Sequence, residues 1–244
     1  MIPRDTLQDA EYQRYHVELP DGGPMYTETD LTREWLIEPW NATSSLAFLI
    51  PALYWMYKIW PQRQQYTVLV VCSVFLILGG LGSTFFHALR IHPFFLVMDV
   101  LPMQLLMIVI IAYCWGKILP RPWMGWLVVG INLLVQGFLY TAQLLPSHTT
   151  INVGYAITGI LFFAPLLYIL FKTKMQDSQY LLLGMVLLGL SLFFREVDAR
   201  ENFTPLPMGT HFLWHLSSAW AAHFLARYLY GLVPQRLRTS RLRS

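Results

Sequence analysis

Charged residues are scarce in this sequence, and cysteine is almost absent. Only 13% of the 244 residues are charged and 55% are hydrophobic, whereas soluble domains carry about 25% charged residues. A chain with so little charge cannot hide its apolar surface in one aqueous core. Cys72 and Cys114 lie inside apolar runs, which argues against a disulfide framework or a thiolate metal site. The N-terminus also lacks a basic start followed by an apolar run, so we expect no cleavable signal peptide.

Long apolar stretches fill most of the chain after residue 41. A helix needs roughly 20 mainly apolar residues to cross the hydrocarbon core of a bilayer, and short polar connections separate seven such stretches. We therefore predict an all-α integral membrane bundle of seven transmembrane helices, with spans near 42–60, 67–87, 94–115, 123–145, 151–171, 179–195 and 210–232. The sixth stretch is short and ends in charged residues, so a bundle of six helices is the alternative.

Charge is divided unevenly between the two ends of the chain. Nine of the fourteen acidic residues lie in the first forty residues, and the last eighteen hold five arginines and no acid. This pattern predicts an acidic N-terminal arm (1–40), a seven-helix membrane domain (41–232) and a basic cytoplasmic tail (233–244). With the N-terminus outside, eleven of the seventeen lysines and arginines fall on the inner side, as the positive-inside rule favours. The basic tail suits anionic lipid headgroups, and we expect no nucleic-acid partner.

Five polar residues near the ends of three predicted spans share one membrane face. They are Ser83 and His87 in the second span, Asp99 in the third, and His211 and His215 in the seventh. A lone interfacial histidine more often bonds a backbone carbonyl, and a pair spaced by four is a common accident. Ionisable residues within a membrane are nevertheless costly and often functional. Three imidazoles with an open fourth position are typical of catalytic zinc, so we predict zinc bound by the three histidines.

Short motifs in a fixed order resemble the alkaline ceramidase family, part of the CREST superfamily of membrane hydrolases. The central motifs are Gly-Ser-Thr-Phe-Phe-His at 82–87, Met-Asp-Val-Leu-Pro-Met at 98–103, and the His-x-x-x-His pair at 211–215. The segment 38–46 is similar to the family's opening of the first helix, and 193–198 is similar to the end of its sixth. The resemblance therefore touches most of the chain through motifs that are each weak alone.

The resemblance implies both a metal site and an activity. Zinc would be held by His87, His211 and His215, with Ser83 and Asp99 beside the bound water. The implied reaction is hydrolysis of an N-acyl sphingoid, ceramide-type membrane lipid to a fatty acid and a sphingoid base. Asp99 would carry the proton and Ser83 would donate to the developing oxyanion.

A second metal is implied by the same resemblance. Alkaline ceramidases hold calcium with acidic residues of the N-terminal segment, and Glu38 matches one of those positions. The other acids available are Asp21, Glu28, Asp30 and Glu34, whose spacing differs from the family's compact cluster. An acidic arm that is simply solvated is the equal alternative.

Two other functional classes stay open from the sequence alone. A non-catalytic receptor or lipid-binding protein could use the same zinc to tie its helices together, with Asp99 closing the metal shell as a fourth ligand. A transporter is the other class, for which broken helices or internal repeats at the membrane midplane are the usual sign. The sequence contains no convincing repeat, and its polar cluster is predicted away from the midplane.

Overall fold

The computed structural model describes residues 19–145, 147–199 and 206–234, and within these ranges the chain forms helices and no strand. Residues 1–18 of the predicted acidic arm and 235–244 of the predicted basic tail lie outside the described residues. The helices are α1 (Pro39–Ser45), α2 (Leu49–Ile59), α3 (Thr67–Leu89), α4 (Pro93–Ile118), α5 (Met124–Ala142), α6 (Ser147–Lys172), α7 (Ser178–Asp198) and α8 (His211–Leu232), with 3-10 turns at Leu46–Phe48 and Trp60–Gln62.

Five of the described helices, α3 to α7, are long and apolar enough to cross a membrane. This finding supports a multi-pass membrane protein, and these helices coincide with the second to sixth predicted spans to within four residues at each end. A 3-10 turn divides the first predicted span into α1 and α2. The last helix, α8, has sufficient length but is less apolar, because it carries three histidines and Arg227.

The helices pack so that α1, α3 and α8 meet at one end of the bundle. Helix α3 lies along α4, α7 lies along α8, and both α1 and α2 contact α3 and α8. An apolar core fills the opposite half of the bundle, where Trp55, Ile111, Phe162 and Leu229 are each at most 2% exposed. The polar residues of the predicted site therefore lie at one end of an otherwise apolar assembly.

The segment before α1 covers the C-terminal end of α3. The backbone N–H of Ile37 donates to the Ala88 carbonyl over 2.9 Å, and that of Glu38 donates to the His87 carbonyl over 3.1 Å. The last carbonyls of a helix have no partner within the helix itself. The N-terminal segment satisfies two of them and thereby brings Glu38 beside His87.

Glu28 fastens the same segment to the start of α1. Its two carboxylate oxygens accept the backbone N–H groups of Trp40 (2.6 Å) and Asn41 (2.9 Å). These are among the N–H groups that a helix leaves unpaired in its first turn. Burial raises the pKa of the Glu28 carboxyl, and the two backbone donors offset part of that rise.

Asp198 joins the end of α7 to the start of α8. One of its carboxylate oxygens accepts the backbone N–H groups of Thr210 (2.6 Å) and His211 (3.2 Å), and the other accepts that of Thr27 (3.2 Å). Gly209, the residue before Thr210, has a φ of +75°. A Cβ at Gly209 would lie 2.1 Å from the Asp198 carboxylate. Asp198 thus sets where α8 begins and where His211 lies.

Helices α3 and α4 approach to backbone contact at Gly82. A Cβ at this position would lie 2.1 Å from the Met98 carbonyl oxygen and 2.9 Å from the Asp99 nitrogen. Pro102 lies inside α4, and because proline has no N–H, the Met98 carbonyl receives no hydrogen bond from that position. Glycine on one helix and proline on the other therefore place Asp99 opposite the turn that carries Ser83.

Candidate metal centre

Three histidines from two helices meet at this end of the bundle. His87 lies in the last turn of α3, whereas His211 is the first residue of α8 and His215 follows one turn later. One ligand nitrogen from each ring lies within 4.8 Å of the other two. The side chains are buried, with exposed fractions of 0%, 5% and 2%. The arrangement could hold a metal ion.

The ring nitrogens divide into those with protein partners and those without. His87 Nδ1 lies 2.5 Å from Glu38 Oε2, and His215 Nδ1 lies 2.8 Å from Ser44 Oγ and 3.2 Å from Ser45 Oγ. By contrast, His87 Nε2 and His211 Nδ1 are buried without a hydrogen-bond partner. An unpaired buried polar atom typically costs about 1–3 kcal/mol. A cation among the three rings would satisfy these nitrogens, and the carboxylate and hydroxyl partners would orient the rings.

Ser83 and Asp99 lie beside the histidines on facing helices. Ser83 is one turn before His87 on α3, is 1% exposed, and receives a hydrogen bond of 3.0 Å from Ser45 Oγ. The Asp99 carboxyl on α4 interacts electrostatically with His87 and accepts a hydrogen bond from the Ser83 side chain. It does not belong to the group of three close metal-ligand side chains, and it retains partial exposure.

Glu38 lies behind His87, where its carboxylate accepts four hydrogen bonds. Oε2 accepts hydrogen bonds from His87 Nδ1 and from the Asn41 side-chain amide (3.1 Å). Oε1 accepts hydrogen bonds from the Thr29 hydroxyl (2.6 Å) and from the Arg90 guanidinium. The carboxylate is fully buried. Glu38 therefore connects the N-terminal segment to a candidate metal ligand.

The other acids considered for calcium occupy separate environments. Asp21 is buried against Arg90, and Glu28 caps α1. Asp30 pairs with Arg33 over 3.1 Å near the surface, and Glu34 is exposed. Of these acids, Asp21 shares the Arg90 guanidinium with Glu38.

A family model described as Ceramidase matches residues 28–239, a region that contains the three histidines, Ser83, Asp99 and Glu38. The chain belongs to the ceramidase family. The resemblance noted from the motifs is thereby confirmed. No curated protein matches the chain.

Several residues around this ceramidase-family site were not predicted from the sequence. The ring of Tyr26 lies over that of His211, with centroids 4.1 Å apart. Ser44 and Ser45 reach His215 from α1, although the segment 38–46 had been noted only as a motif. Arg90 was also missed. The available signal was its position, a lone arginine three residues after His87 at the end of an apolar helix.

Proposed function

We propose that this ceramidase-family chain is a zinc-dependent membrane amidase that hydrolyses N-acyl sphingoid lipids to a fatty acid and a sphingoid base. The observation that carries the proposal is the buried group of His87, His211 and His215, two of whose nitrogens have no protein partner. Family membership supports ceramide hydrolysis in general. The group of three histidines supports the binding of a metal ion.

The donor set suits zinc. Imidazole nitrogens are common zinc ligands, and three protein ligands with a free fourth position are typical of catalytic rather than structural sites. Asp99 stands apart from the three-histidine group, which favours an open position over a shell closed by a carboxylate. When bound, zinc would supply a nucleophilic water at neutral pH and would polarise the substrate carbonyl.

Asp99 is assigned the role of proton carrier. It would accept a proton from the attacking water and deliver it to the nitrogen of the leaving sphingoid amine, so that one water and one amide yield one acid and one amine. The close approach of α3 and α4 at Gly82 holds Asp99 opposite Ser83. Its position on the rim of the site, partly exposed, suits a group that must contact substrate.

Ser83 is assigned the role of oxyanion donor. Ser83 Oγ accepts a hydrogen bond from Ser45 Oγ, and the Ser83 hydroxyl donates its own proton to the Asp99 carboxyl. Directed at the carbonyl oxygen of the substrate amide, that proton would stabilise the negative charge that develops there. Such a donor typically contributes about 3–4 kcal/mol to the transition state.

The surroundings of Asp99 suit a lipid substrate. Val97, Val100 and Leu101 flank it on α4, and their side chains are 51%, 43% and 50% exposed. These residues lie in a helix long and apolar enough to cross a membrane. A lipid could therefore bring its amide to the site laterally while its hydrocarbon chains remain in the bilayer.

The decisive experiment compares wild type with Asp99→Asn and His211→Ala. Each purified protein is analysed for zinc and incubated with a panel of N-acyl sphingoid lipids in liposomes, and released fatty acid is measured by mass spectrometry. Asp99→Asn should keep its zinc and its melting temperature but hydrolyse the lipid about 100-fold more slowly or worse, the usual scale of general acid–base catalysis. His211→Ala should lose both zinc and activity, because it lacks one ligand.

Equal hydrolysis by wild type and Asp99→Asn would remove Asp99 from the mechanism. Zinc binding without hydrolysis of any lipid in the panel would instead favour the non-catalytic receptor. Full zinc occupancy in His211→Ala would overturn the metal assignment.

A further inference from the structure

A single arginine lies buried between the N-terminal segment and the end of α3. Arg90 is 2% exposed and directly follows the helix, with a φ of 52° in the left-handed region. That conformation is unfavourable for residues other than glycine and asparagine, so it persists only where surrounding contacts hold it. The backbone N–H of Arg90 donates to the Phe86 carbonyl over 3.0 Å, and its side chain adds further contacts.

The guanidinium of Arg90 contacts oxygen atoms from three residues of the N-terminal segment. Its Nε and Nη2 both donate to the Asp21 carboxylate, its Nη1 donates to Glu38 Oε1, and Nη2 also donates to the Pro24 carbonyl over 2.9 Å. The guanidinium carbon lies 4.6 Å from the centroid of the Phe86 ring. The rigid fork of donors in arginine matches such a set of oxygens in a way that a lysine ammonium cannot.

These contacts use the oxygens that a calcium ion would need. Calcium takes six to eight oxygen ligands at about 2.3–2.6 Å, and Glu38 is the residue that matched a calcium position. A carboxylate offers about four acceptor sites, and all four at Glu38 already receive donors. Asp21 accepts the Gly23 N–H over 2.9 Å in addition to the arginine. The residues present do not fit a calcium ion between Asp21 and Glu38.

We propose that Arg90 supplies the positive charge between Asp21 and Glu38 and that this site, among the described residues, needs no calcium. Its charge neutralises buried carboxylates that would otherwise repel each other, and it fastens the N-terminal segment to the end of α3. Through Glu38 it also orients His87, so Arg90 is a positioning residue for the metal ligand. The last point rests on the proposed zinc site, whereas the calcium independence does not.

The first test uses the wild-type protein in detergent. The protein is stripped of metal and reloaded with zinc alone in calcium-free buffer, and its melting temperature, its zinc content and its hydrolysis of ceramide liposomes should then be the same with and without millimolar CaCl2. A calorimetric titration with CaCl2 should give no stoichiometric binding. One bound calcium per chain, or a melting temperature that falls when calcium is removed, would overturn the proposal.

The second test removes the guanidinium with Arg90→Gly. Glycine accepts the left-handed backbone without strain, so the change isolates the side chain. It leaves buried carboxylates without their partner, and we expect the melting temperature to fall by roughly 10 °C. Zinc affinity, measured by competition with a chromogenic chelator, should weaken by about 10-fold, as is typical when the support of a metal ligand is lost. The matched control is Arg33→Gly, which removes an arginine paired with an exposed acid of the same segment.

A double variant separates charge neutralisation from simple loss of packing. Asp21→Asn added to Arg90→Gly removes one of the stranded carboxylates, so the double variant should melt above Arg90→Gly, whereas Asp21→Asn alone should melt below wild type. Additive losses would contradict the role of Arg90 as a counter-charge. Unchanged zinc affinity in Arg90→Gly would contradict its positioning role. Neither readout depends on lipid hydrolysis, so failure of the proposed reaction would be seen separately.

Discussion

At the scale of single residues, Gly82 has the strictest requirement in the site. The atoms that a Cβ would meet belong to the backbone of α4, at 2.1 Å from the Met98 carbonyl oxygen. Backbone atoms of a neighbouring helix cannot rotate away as a side chain can. Any larger residue must therefore push α3 and α4 apart, and with them Ser83 and Asp99.

Gly82→Ala should impair stability and activity together. We expect a loss of about 1–3 kcal/mol in the free energy of unfolding, the usual cost of overpacking, and a marked fall in lipid hydrolysis because Asp99 is displaced. Thermal unfolding in detergent and the fatty-acid release assay measure the two effects.

The matched control is Gly137→Ala on α5, where a Cβ would meet nothing within 4 Å. This variant should match or slightly exceed wild-type stability, because alanine favours helix formation over glycine by about 1 kcal/mol. Equal behaviour of the two variants would mean that the contact between α3 and α4 does not matter.

At the scale of elements, the start of α1 depends on a residue eleven positions upstream of the helix. Glu28 supplies both acceptors for the backbone N–H groups of Trp40 and Asn41. The helix itself begins at Pro39, and its preceding residue, Glu38, makes no side-chain cap. The cap thus comes from the N-terminal segment and couples the folding of that segment to α1.

Glu28→Ala should lower the free energy of unfolding by about 2 kcal/mol, because it strands two backbone donors, each costing about 1–3 kcal/mol when buried and unpaired. The melting temperature in detergent measures this loss. Glu34→Ala, which removes an exposed acid of the same segment, should leave the melting temperature unchanged. A similar loss in both variants would mean that net charge, not capping, is responsible.

At the scale of the whole molecule, the described part of the N-terminal segment lies at the same end as His87 and His211. The α4–α5 connection lies at the opposite end, because α4 begins beside the site at Pro93 and runs away from it to Ile118. The side of the membrane on which the N-terminus lies is therefore also the side of the candidate metal centre. Our prediction that this side is outside follows from the distribution of basic residues.

Cysteine labelling in sealed, right-side-out membrane vesicles checks this orientation. Glu34→Cys should react with a membrane-impermeant maleimide, whereas Arg121→Cys should react only after the membrane is permeabilised. Both positions are exposed. The native Cys72 and Cys114 are buried and should not react with the maleimide. Labelling of Arg121→Cys alone would invert the orientation, and labelling of both from one face would contradict the bundle itself.

The sequence by itself determined five of the helices and the grouping of three histidines. Apolar runs predict helices because a backbone in lipid must satisfy its own hydrogen bonds, so α3 to α7 could be read directly from hydropathy. The three histidines could be grouped because alternating helix direction and four-residue spacing place them at one depth. These are properties of local sequence and of the order of the spans.

The tertiary structure alone decided what surrounds those residues. Nothing in the spacing of Asp21, Glu38 and Arg90 shows that they meet, because the contact depends on how the N-terminal segment folds over the end of α3. The same holds for Glu28 at α1 and for Asp198 at α8, each bonded to backbone groups of another element. Hydropathy reports which residues leave water, whereas the pairing of buried charges depends on geometry between elements. That geometry determines whether acidic residues face a metal ion or a guanidinium.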